Sequence, residues 1–125
     1  MTARTQNAGL ARVTSSLSGL TYWLQWGTGS AAAASANVVT TTTTTEARVA
    51  TTNTQQTTTV TNDTLQMTGT ITAAGARSIT EIGVFDAAGT GSPPTGGNMD
   101  YYVDFASVGL SSGDSIAFTI KVQYS

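Results

Sequence analysis

Apolar and polar residues alternate with a period of two along much of this chain, most cleanly toward the C-terminus. Ile116, Phe118, Ile120, Val122 and Tyr124 occupy every second position, which puts all five on one face of a strand. Met99, Tyr101, Val103 and Phe105 alternate in the same way with Asp100, Tyr102 and Asp104. Upstream, Leu20, Tyr22, Leu24 and Trp26 alternate with Thr21, Trp23 and Gln25 until Gly27-Thr-Gly29 stops the pattern. Leu65, Met67 and Ile71 share a face, with Gly69 between them as a bulge or a point of close approach. Ile79 to Phe85 is apolar on both sides, with Ile82 and Val84 on one face and Ile79 and Phe85 on the other. It reads as a central strand covered twice.

The punctuation agrees with strands. Ala74-Gly75 and Ser111-Ser-Gly-Asp114 are turn sequences, and Asp86 to Asn98, with Pro93-Pro94 and several glycines, is a long irregular loop. Between Val38 and Val60 the chain approaches low complexity, with Thr40 to Thr45 unbroken. Its β-branched residues predict one or two strands with a polar outer face rather than disorder, although weak patterning leaves the register open. The alanines at 31–34 suffice for one helical turn at most. Residues 1–18 are small and polar, with Leu10, Val13 and Leu17 too loosely spaced for a strand, and read as an extended arm that orders on a neighbouring subunit. The expectation is an all-β, single-domain antiparallel β-sandwich, Ig-like or jelly-roll-like, over residues 19–125 with the arm at 1–18. Removing Met1 to Val13 is then expected to weaken attachment to a partner and leave the sandwich folded.

Composition sharpens the picture. About a fifth of the residues are threonine and only 10% are charged, against roughly 25% charged residues in an ordinary soluble domain. Such a surface favours association over life as a free monomer. The cations Arg4, Arg12, Arg48, Arg77 and Lys121 are scattered and the net charge is −2, so there is no basic stripe for nucleic acid. No cysteine is present, which removes disulfides and thiolate chemistry. No basic start followed by an apolar core opens the chain and no apolar run reaches membrane-spanning length. Synthesis in the cytoplasm, with no membrane partner, is the expectation.

Candidate chemistry is sparse. Without histidine the commonest catalytic base is missing. Asp100 and Asp104 share a strand face with Tyr102 between them, an arrangement that could approach a glycoside or a cation but reads first as a solvated face that discourages edge pairing. Glu81, between apolar neighbours, reads as a salt-bridge or backbone partner, with Arg77 or Arg48 as its cation, in preference to a catalytic acid. Gly27-Thr-Gly29 lacks the following Lys and Ser/Thr of a phosphate loop. Of the two tryptophans, alternation turns Trp26 inward and leaves Trp23 as the candidate for an interface. No catalytic, cofactor-binding or metal-binding residue is assigned.

Three segments carry a resemblance. Arg77-Ser-Ile-Thr-Glu-Ile-Gly-Val-Phe-Asp-Ala87, Gly97-Asn-Met-Asp-Tyr-Tyr-Val-Asp-Phe105 and Gly113-Asp-Ser-Ile-Ala-Phe-Thr-Ile120 resemble a recurring pattern in structural proteins of tailed bacteriophages. Trp26-Gly-Thr-Gly29 and Thr45-Glu46 look like the front end of the same pattern, so the resemblance covers about residues 20 to 124. It implies a non-enzymatic virion protein, foremost a capsid decoration or cement protein, homo-oligomeric and most plausibly trimeric, bound to the major capsid protein on the capsid exterior. The alternative is a tail or tail-fibre module that binds a host receptor or glycan. Contacts with other subunits are expected from Arg4, Leu10, Arg12 and Val13 of the arm and from Trp23. Thr40 to Thr45 and Asp86 to Asn98 depart from the pattern.

Overall fold

The computed structural model describes residues 1–36, 39 and 44–125. Among the described residues one helix, α1 (Asn7–Ser18), precedes seven strands: β1 (Trp23–Gly27), β2 (Val49–Ala50), β3 (Thr52–Gln56), β4 (Thr64–Thr72), β5 (Arg77–Phe85), β6 (Met99–Leu110) and β7 (Ser115–Gln123). They form two antiparallel sheets, ordered β2-β1-β5-β6 and β3-β4-β7. The architecture is an all-β sandwich, as the alternation predicts. Its four-and-three division is that of an immunoglobulin constant-type sandwich, although the chain threads it in a different order. Within 38–60 the structure has β2 and β3; Val38 and Thr40 to Thr43 lie outside the described residues.

The alternating residues meet between the sheets. Tyr22, Leu24 and Trp26 from the β1 segment and Ile82 and Val84 of β5 pack on Leu65, Met67 and Ile71 of β4 and on Phe118 and Ile120 of β7. Trp26 meets Phe118 edge to face at 6.5 Å between ring centroids. Each large side chain removed fully from water contributes about 1.5–3 kcal/mol, so few aromatics suffice when they are concentrated here. Gly69 is a close approach and not a bulge: β4 pairs with β7 without interruption, and a Cβ at Gly69 would stand 2.9 Å from Leu24 Cδ1.

Two expectations are corrected. Ile79 shares the inner core with Ile82 and Val84, because the register with β6 shifts between Ile79 and Glu81. Phe105, Ala106 and Ser107 stand there opposite Thr80 alone, and the bulge turns the strand over by one residue. Glu81, Gly83 and Phe85 consequently share the outer face with Trp23 and Gln25, their register neighbours on β1.

The second correction concerns residues 1–18, which are not an extended arm throughout. Asn7–Ser18 is helical, with Leu10 and Thr14 buried and Leu17 against the core, a spacing of four and three that lines one helical face. Asn53 and Gln55 of β3 stand opposite Met67 and Leu65 and so face inward. Gln55 Nε2 donates to Ala11 O and Thr14 Oγ1, both at 2.9 Å, and Asn53 Nδ2 donates to Leu20 O at 2.7 Å. Among the described residues β2, the edge of the other sheet, is two residues long, and α1 packs on β3 and β4. No side chain caps its N-terminus, and a helix of twelve residues is marginal alone. Packing on β3 holds it.

Candidate interaction surface

β6 and β7 are the last strands of their sheets, and the turn between them puts both on the same side of the sandwich. Asp114 shapes that turn by accepting the Ser111 N–H at 2.8 Å, with Gly113 at φ 91°, a value that glycine adopts without penalty. Backbone bonds from Gly113 N to Ala73 O and from Ala73 N to Asp114 O, each 2.8 Å, fasten the turn to the end of β4. Between the two edges lies a groove of about 420 Å³. Ile82, Val103, Phe105, Val108, Phe118 and Ile120 line it, and Thr119 and Lys121 stand at its rim. Val103 and Val108 are 44% and 39% exposed, so an apolar face meets solvent here. Phe105 closes the floor against Phe118 at 6.1 Å.

The N-terminal half of β6 is screened. Ala31 N donates to Asp104 Oδ2 at 3.0 Å, and the segment Ala32 to Ala36 lies beside Met99 to Tyr102. The alanines form no helical turn; Ala31 has φ 57°. From Val103 to Leu110 nothing among the described residues pairs with the outer edge of β6.

The opposite face of the same sheet is closed by Arg48, which is 6% exposed. Its Nε donates to Gln25 Oε1 at 2.8 Å, its Nη1 donates to Ala87 O and Gly96 O at 2.9 Å each, and its guanidinium lies 3.7 Å from the Phe85 ring centroid. Gln25 Nε2 donates onward to Pro94 O at 3.2 Å. One arginine thereby anchors the irregular Asp86 to Asn98 loop over β5. Gly83 permits the close fit, since a Cβ there would stand 2.7 Å from Met99 Sδ and 2.8 Å from Phe85 Cε2.

The predicted ion pairs fall differently. Arg77 pairs with Glu46 at 3.1 Å, and the Glu46 carboxylate also accepts from Ala74 N and Trp26 Nε1. Glu81 is fully buried and accepts from Tyr102 Oη at 2.6 Å; neither Arg77 nor Arg48 is its cation. That bond occupies the side chain between Asp100 and Asp104, and Asp104 is engaged by Ala31. Burial, with Asp86 nearby, raises the Asp100 carboxyl above its ordinary range. Among the described residues no group of three or more His, Cys, Asp or Glu is placed to hold a metal, and no helix is long and apolar enough to cross a membrane.

The five expected contact residues do not form one surface. Leu10 is buried and Arg12 and Val13 are exposed on α1, while Arg4 joins Leu10 in lining a separate cleft beside Asp63 and Gln123. Trp23 is half-buried on β1, away from all four, whereas Trp26 is 1% exposed as alternation predicts. Of the groove residues, Val103 stands on the alternating face and Val108 falls out of phase with it; the bulge brings both to one side, and sheet order puts that side at an edge. No family model, no characterised protein and no solved structure matches this chain.

Proposed function

We propose that this chain is a non-enzymatic structural subunit of a tailed-bacteriophage particle, an outer-capsid decoration protein that binds the major capsid protein as a homo-oligomer and reinforces the shell. The observation that carries this reading is the exposed apolar groove along β6 and β7, on a surface with few charges to keep a monomer apart from its neighbours. The phage-like segments fall on the elements that build this region: Arg77 to Ala87 spans β5, Gly97 to Phe105 enters β6, and Gly113 to Ile120 covers the final turn and β7. Reinforcement by such a subunit needs no chemistry. Many weak contacts, repeated over a particle, add to firm attachment.

Cryo-electron microscopy of purified particles tests the reading. The expected result is density for this chain at capsid-wide, symmetry-related positions in hundreds of copies. A few copies confined to the tail would replace it with the tail-module reading, and absence from particles would overturn both.

A further inference from the structure

The inward-facing residues of the open half of β6 are Val103, Phe105, Val108 and Leu110. Val103 stands opposite Ile82 and Val108 opposite Ile79, both core residues, and the bulge at Phe105 to Ser107 keeps the two arms facing the same way. The intervals between the four are two, three and two residues, the same in either direction. A strand with that spacing is complementary to itself when reversed. From this spacing we infer that two copies of this chain associate about a two-fold axis, with β6 antiparallel to β6 and groove against groove.

Val103 then meets Leu110 of the second copy and Phe105 meets its Val108, each pair on the inner side, while Ala106 and Ser107 lie beside the axis. Charge placement agrees with this register. Asp104, the sole charge between Val103 and Leu110, meets Gly109 of the second copy and not a like charge, and nothing crowds Gly109 on its open side. No lysine or proline, the usual guards of an exposed edge, occurs in this stretch. The bulge restricts backbone pairing to the arms on either side of it, so side-chain packing supplies most of the contact. Eight residues at about 3.4 Å each give a contact about 27 Å long, and two sheets about 10 Å apart, with their side chains, give it a depth near 20 Å. The two copies together would bury on the order of 1,000 Å², the lower end of a stable interface. A two-fold contact of this kind uses one patch on both partners and closes at two copies.

Sedimentation equilibrium of the full chain at tens of micromolar is expected to give twice the 12.8 kDa chain mass. Val108→Lys, which buries an unpaired charge in the contact, is expected to weaken association at least about 100-fold, whereas Ser16→Lys on the exposed face of α1 leaves it unchanged. Because the chain has no cysteine, Ser107→Cys supplies a second reading that does not depend on how the lysine variant folds. Mild oxidation should cross-link it into dimers, and Thr70→Cys, on the exposed side of β4, should remain uncrosslinked. A monomer or a trimer in solution overturns the inference, as does a dimer indifferent to both substitutions in β6. These measurements need only the isolated chain, so their failure leaves the particle assignment to its own test.

Discussion

Asp63 shows how much one residue organises in a chain with so few charges. Its carboxylate accepts the backbone N–H groups of Thr58, Thr59 and Val60 at 2.9–3.0 Å, the Thr64 hydroxyl at 2.8 Å and Gln123 Nε2 at 3.1 Å. It thereby closes the β3-β4 turn and ties it to β7. These bonds, the Val60 N–H foremost, hold its carboxyl well below the ordinary aspartate range. A carboxyl depressed in the folded state contributes stability that is complete above its unfolded pKa of about 4 and declines as pH falls below it. Denaturant titrations between pH 6 and pH 2 should therefore show stability falling below about pH 4, and Asp63→Asn should be less stable at pH 7 with a shallower acid dependence. Arg48 is the other such residue. Arg48→Met keeps the length of the side chain but leaves the buried Gln25 Oε1 and the part-buried Ala87 O without their donor, while Gly96 O, on an exposed residue, turns to water. We expect a loss of about 3 kcal/mol in urea unfolding, of the size that follows stranded buried polar groups.

At the scale of elements, the clearest strands in the sequence are the ones whose inner residues are large and whose turns are marked by glycine. β1, β4, β6 and β7 overlap the alternating runs and β5 the run apolar on both sides, while Leu20 lies outside β1 and is exposed. Helix α1 is the exception, and it reverses an expectation about the N-terminus. Because Leu10, Thr14 and Leu17 close the open end of the sandwich, removing residues 1–18 uncovers core and leaves Gln55 without Ala11 O and Thr14 Oγ1. The cost should be about 3 kcal/mol for the apolar burial lost with Leu10 and the partly buried Leu17, read as a lowered urea midpoint. Residues 1–6 are exposed throughout, and their removal alone should leave the midpoint unchanged. A deletion ending at Val13 belongs with the first case, since it takes Leu10 with it. The bulge in β5 and β6 was equally illegible, because an extra residue in a ladder depends on the partner strand and leaves no mark in the period of one strand read alone.

For the whole molecule, the two open sides of the sandwich are treated differently. At β3 the chain supplies its own cover, a helix joined by hydrogen bonds to the inward-facing amide of Gln55. At β6 and β7 the described residues supply none, and Val103 and Val108 are 44% and 39% exposed. If a second copy covers that side, folding and association are linked. The melting temperature should then rise with protein concentration over the micromolar range, and Val108→Lys should abolish the dependence; differential scanning fluorimetry at several concentrations reads both.

Period and composition are local properties of the chain, and from them follow the fold class, the positions of the long strands, the inward orientation of Trp26 and the scarcity of catalytic side chains. Tertiary structure alone decided that α1 is helical, that Arg48 and Gln25 knit the Asp86 to Asn98 loop onto β5, and that Glu81 pairs with Tyr102. It also decided which alternating strands lie at an edge, and so where the apolar surface meets solvent. Alternation states which side chains share a face; what lies across from that face is a matter of sheet order, and sheet order is settled by contacts between residues far apart in the chain.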